Sequence, residues 1–64
     1  MDNELAGYIL QWRWFYKKGG WKKSKVRDMT ALKFRNSKKY MDGLWTTEMF
    51  CQGWDELEKK GMMK

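Results

Sequence analysis

Apolar residues recur at helical spacing near the start of this chain. Leu5, Tyr8, Ile9, Trp12 and Tyr16 fall on one stripe at i, i+3, i+4 and i+7, with Phe15 beside it. Asp2 or Asn3 stands where a side-chain oxygen can cap the first turn. Glu4 suits the positive end of the helix dipole, Lys17 and Lys18 suit the negative end, and Gly19 is a natural terminator. The spacing predicts a helix over residues 4–18. Tyr8, Leu10, Trp12, Trp14 and Tyr16 also alternate, and aromatic residues favour strands, so a strand over 8–16 is the competing reading.

The second segment, 24–42, is less periodic. Ser24 can cap a helix on which Val26, Met29 and Leu32 share a face, or 26–34 can form the return strand of a hairpin. Ser37 to Asp42 reads as a short helical turn closed by Gly43. The third segment, 46–60, is the clearest. Thr46 or Thr47 caps it and Glu48 lies in its first turn. Phe50, Gly53, Trp54 and Leu57 make its apolar stripe, with Met49 at the edge, and Gly61 stops it. Residues 62–64 are expected to fray. The predicted architecture is all-α, a single compact three-helix domain spanning 1–64. The alternative is α+β, a two-stranded hairpin packed on a C-terminal helix.

Composition sharpens this picture. A 64-residue chain has little interior, and its one cysteine, Cys51, rules out an intramolecular disulfide. Leu, Ile, Val and Phe together number only 10, which beside a net charge of +6 would point to disorder. Five Trp, three Tyr and three Phe argue instead for an aromatic core, because each large ring buries on the order of 150–250 Å². Six Met can fill gaps between such rings, and a partner or self-association would add stability. Cys51, between Phe50 and Trp54, is expected to be a small buried hydrophobe. Without His there is no base to activate it.

Charge points to a function. From Trp12 to Lys39 there are eleven Lys and Arg against one acid, Asp28, while both flanking stretches are net acidic. The central cations are interleaved with Trp12, Trp14, Phe15, Tyr16, Trp21 and Phe34. Cations that meet phosphates, beside rings that stack on bases, are the ingredients of a nucleic-acid surface. The loop KKGGWKKSK, residues 17–25, combines five Lys, two Gly and Trp21. The candidate anion-binding set is Arg13, Lys17, Lys18, Trp21, Lys22, Lys23, Lys25, Arg27, Lys33 and Arg35. Leu10 and Trp14, one helical turn apart, make a second apolar edge suited to a protein partner unless the third helix covers it.

Bland readings stand beside these. Trp21 can fold back onto the core, and Arg27, Lys33 and Arg35 can be a solvated face. Asp55, Glu56 and Glu58 diverge in direction, so they balance charge, or dock the basic loop, rather than hold a metal. Residues 36–45 are too long for the turn of a helix-turn-helix. Lys and Trp are mixed along the first segment and the third is acidic, which disfavours lipid binding.

No catalytic, metal or cofactor constellation is present, and an enzyme is not expected. The expectation is a non-catalytic binding protein that takes DNA, RNA or a nucleoprotein through phosphates, with weak sequence preference. The alternative is a small inhibitor or adaptor, in the manner of a viral accessory protein, that blocks an acidic or nucleic-acid-binding site on a larger host protein. The acidic start, the free thiol and the lack of a membrane-length apolar stretch favour the cytoplasm, or the host cytoplasm if the gene is viral.

Overall fold

Asp2 begins the first element. Its side chain accepts from the Glu4 N–H at 2.8 Å, and α1 runs from Asn3 to Lys18 with Glu4 in its first turn and Lys17 and Lys18 in its last. The computed structural model describes residues 1–63. At Gly20 the backbone takes φ +88°, a left-handed value open to glycine, and the chain reverses. The second helix, α2 (Lys23–Arg35), runs back along α1. Tyr16 near the end of α1 meets Trp21 edge-on at 6.2 Å, while Tyr8 near its start donates its hydroxyl to the Lys33 carbonyl at 2.8 Å. Burial pushes the Tyr8 phenol above its ordinary value, so it stays protonated and able to donate.

The middle segment is two helices rather than one. Ser37 donates to the Phe34 carbonyl at 2.6 Å and accepts from the Tyr40 N–H, ending α2 and capping the single turn α3 (Lys38–Met41). Gly43, at φ +80°, follows it. The last helix, α4 (Thr47–Lys59), is capped by Thr46, which accepts from the Met49 N–H at 3.2 Å, and buries Phe50, Gly53, Trp54 and Leu57. It packs across the α1–α2 pair. A Cβ on Gly53 would lie 2.9 Å from Met1 Sδ and 3.2 Å from Ile9 Cδ1, so glycine lets the helices approach there.

The chain is all-helical, with no strand among the described residues, so the hairpin alternative is set aside. Asp2, Ser37 and Thr46 satisfy helix-start N–H groups locally, and helix-length stripes exist for burial, which outweighs the strand preference of the aromatics. None of the described helices is long and apolar enough to cross a membrane.

The core is aromatic. Phe34 stacks on Trp45 (centroids 5.7 Å apart, planes 11° from parallel) and meets Tyr40 at 5.3 Å and Phe50 at 5.0 Å, and Phe50 leads on to Trp54. Leu5 and Ile9 from α1, with Val26 and Leu57, complete it.

Several expectations need correction. The buried face of α2 is Val26, Thr30 and Phe34, not Val26, Met29 and Leu32; Leu32 is 46% exposed. Docking the large Phe34 ring against Trp45 and Phe50 turns the helix. Thr30 can point inward because its hydroxyl donates to the Val26 carbonyl at 2.7 Å. Ser24 does not cap α2; Lys22 occupies the N-cap position without a side-chain hydrogen bond. Cys51 is exposed: on α4 it points about 100° away from its buried neighbour Phe50, at the edge of the apolar stripe. Phe15, placed beside the apolar stripe of α1 by its spacing, is 56% exposed. At the chain's end, Met62 is exposed and Met63 is buried, with the Met63 carbonyl accepting from Arg13. Lys64 lies outside the described residues.

Gly7 lies exposed within α1, and a Cβ there would meet nothing within 4 Å. Gly7→Ala is therefore expected to stabilise the protein by about 0.5–1 kcal/mol, the helix-propensity difference. A thermal or urea midpoint that stays put or falls would show that this position has another constraint.

Candidate nucleic-acid interface

The last turns of α1 and the first turns of α2 converge at the Gly19–Lys22 link. Arg13 and Lys17 stand four residues apart on one flank of α1, and Lys23 and Arg27 stand four apart on the matching flank of α2. With Trp21 and the C-terminal part of α4 they line a cleft of about 410 Å³. Val26, Trp54 and Met63 give it an apolar lining, and Glu58 is its one carboxylate.

Its cations differ in freedom. The Arg13 guanidinium donates to the Met63 carbonyl. Arg27 lies 5.7 Å from the centre of the Trp54 ring and 3.9 Å from the Asp55 carboxylate. These two are held by the protein. Lys17 and Lys23 are exposed and make no ion pair among the described residues.

Trp21 stands beside this cleft and is 47% exposed, its ring perpendicular to Tyr16 (87°). It also borders a shallower depression formed with Gly19, Gly20, Lys22 and Lys25. The reading in which Trp21 is sealed in the core is thereby removed. Seven of the ten candidate anion-binding residues thus gather around Trp21: Arg13, Lys17, Trp21 itself, Lys22, Lys23, Lys25 and Arg27.

The remaining three lie elsewhere. Lys18 sits over the Trp14 ring at 4.8 Å, and Lys33 over Trp12 at 4.7 Å. Arg35 is exposed at the far end of α2, about 18 Å along the helix from Lys23 at 1.5 Å per residue. Of the proposed partner edge, Leu10 is half-buried against the core, while Trp14 is 60% exposed and α4 does not cover it. Phe15 beside it widens the exposed apolar surface.

The start of α2 is electrostatically unusual. Its first N–H groups have no side-chain acceptor, its first turn holds no acid, and Lys22, Lys23 and Lys25 surround it. The positive end of a helix dipole ringed by cations is unfavourable for the helix and favourable for an anion. Lys22→Asp is expected to stabilise the fold by about 1 kcal/mol, because Lys22 already has the extended backbone of an N-cap. The same change would weaken binding of any polyanion at this end. A higher thermal midpoint together with weaker binding checks both halves. Binding that survives intact would place the anion site elsewhere.

Five residues that line the cleft lay outside the candidate anion-binding set: Ser24, Val26, Trp54, Glu58 and Met63. Trp54 and Glu58 are four apart on α4, so they share a face, and that spacing was the available signal. Met63 carried none. Asp55 pairs with Arg27 and Glu56 with Lys60 at 3.5 Å, so these acids balance charge as their spacing suggested. No protein-family model, curated protein or solved structure matches the chain.

Proposed function

We propose that this is a non-catalytic nucleic-acid-binding module whose α1–α2 turn grips phosphates while Trp21 offers a ring to a base. The observation that carries the reading is the α2 N-terminus, uncapped and ringed by Lys22, Lys23 and Lys25, beside a half-exposed Trp21. Phosphates satisfy its free N–H groups and relieve the mutual repulsion of the lysines. A ring between lysines adds stacking that every base can use. Phosphate contacts carry no sequence information, so the overall preference is weak. DNA, RNA and nucleoprotein all present this chemistry. In a cytoplasmic setting the exposed Cys51 thiol stays reduced.

The test is binding of a fluorescent single-stranded oligonucleotide across a salt series. Affinity falls steeply with salt if phosphates supply the contacts; affinity indifferent to salt, or no binding at low salt, overturns the reading.

Exposed Trp14 and Phe15 favour a second reading, in which the protein is an inhibitor or adaptor docked on a larger, acidic host protein. A partner that stays bound after nuclease treatment and is lost with Trp14→Ala would carry that reading in place of the first.

A further inference from the structure

We infer that the cleft between α1, α2 and α4 takes one unpaired nucleotide, and that the base it selects is guanine. This rests on the nucleic-acid reading above and adds to it a preferred strand state and a single read base.

Size and lining argue for an unpaired nucleotide. A volume of about 410 Å³ lies in the range of small-ligand sites and suits one nucleotide rather than a duplex. Cations form part of the lining, and Trp21, Val26, Trp54 and Met63 form the apolar part. A duplex offers phosphates to the cations but keeps its bases stacked inside, leaving the apolar surface wet. A single strand can turn one base inward, against the exposed Trp21 ring, while its phosphates meet Lys17 and Lys23.

Glu58 argues for guanine. It is the one carboxylate in a cleft with four cationic residues, and it makes no ion pair with any of them among the described residues. A carboxylate accepts hydrogen bonds and donates none, so at neutral pH it repels phosphate and suits the donor edge of a base. Guanine is the base whose Watson–Crick edge places two donors side by side, N1–H and N2–H, matching two carboxylate oxygens. Adenine and cytosine offer one amino donor beside a ring-nitrogen acceptor, and thymine or uracil one N–H between two carbonyls. In each of these a carboxylate oxygen faces an acceptor. The spacing of Glu58 four residues after Trp54 directs it to the same face of α4 as the buried ring.

The experiment uses labelled nine-nucleotide thymidine strands carrying G, A, C or T at the centre, with a duplex of the same length, against the wild-type protein and Glu58→Gln. Glu58 is exposed, so the substitution leaves the fold intact, which circular dichroism checks. The wild type is expected to prefer the guanine strand about tenfold, the discrimination typical of a bidentate contact. The duplex should bind no better than the other strands. Glu58→Gln should bring the guanine ratio close to one, whatever it does to affinity overall. A wild-type ratio near one, or a ratio that Glu58→Gln leaves unchanged, overturns this inference. If all strands then bind alike with steep salt dependence, the general nucleic-acid reading stands without it. If no strand binds at low salt, that reading falls as well.

Discussion

Replacing Lys22, Lys23 and Lys25 with alanine together is expected to flatten the salt dependence of single-strand binding. Each phosphate contact on a single strand contributes a slope of about −0.7 in log K against log salt. If Lys17, Lys22, Lys23 and Lys25 supply the contacts, the wild type loses affinity about fiftyfold between about 50 and about 200 mM salt, whereas the triple variant loses only two- to threefold, or about 2 units of slope. The three side chains are exposed, cap nothing and join no ion pair among the described residues, so the fold is kept. Removing cations from the positive end of α2 should leave the thermal midpoint equal or higher. A triple variant with the wild-type slope would show that the lysines at the start of α2 do not supply the contacts.

Phe34→Ala is expected to abolish cooperative folding near room temperature. Phe34 is 1% exposed and touches three other rings, Tyr40, Trp45 and Phe50. Truncating a fully buried Phe costs about 3–5 kcal/mol. In a chain this short, a single hydrophobic core rarely supplies more than about 3–5 kcal/mol of stability. The loss is therefore comparable to everything that holds the domain together. Leu32→Ala is the matched control: Leu32 is an exposed α2 residue that the simple period places in the core, and its truncation should shift stability by less than about 0.5 kcal/mol. Equal damage from the two variants, read by thermal melts, would mean that α2 is turned differently from the orientation described.

That contrast shows where local pattern stops being informative. The starts of α1 and α4 were legible because a cap is a contact between residues two or three apart: Asp2 with Glu4, Thr46 with Met49. The buried stripe of α4 was legible because Phe50, Trp54 and Leu57 share one face and the acids lie on others. In α2 two overlapping stripes compete. Val26–Met29–Leu32 has the better aliphatic period, while Val26–Thr30–Phe34 has the largest ring and a threonine that bonds back to its own helix. The choice depends on Trp45 and Phe50, which lie beyond the helix in sequence. Cys51 and Phe15 were misjudged for a related reason: sequence neighbours on a helix point about 100° apart.

The candidate site divides in the same way. The cations and rings of the α1–α2 turn were visible in sequence because they are consecutive, and their clustering needed only a chain reversal at the Gly19-Gly20 pair. Glu58, Trp54 and Met63 reach the cleft from about thirty or more residues away, carried there by the packing of α4. The same packing holds Arg13 on the Met63 carbonyl and Arg27 on Trp54 and Asp55. The amino-acid sequence alone favoured helices over the hairpin alternative, showed where most of the helices begin, and showed that the middle is a cationic, ring-bearing stretch, because capping, helical period and charge are short-range properties. Tertiary structure decided which face of α2 is buried, which cations stay free to meet an anion, and that a lone carboxylate stands among them, because burial and pairing depend on elements that meet only when the chain is folded.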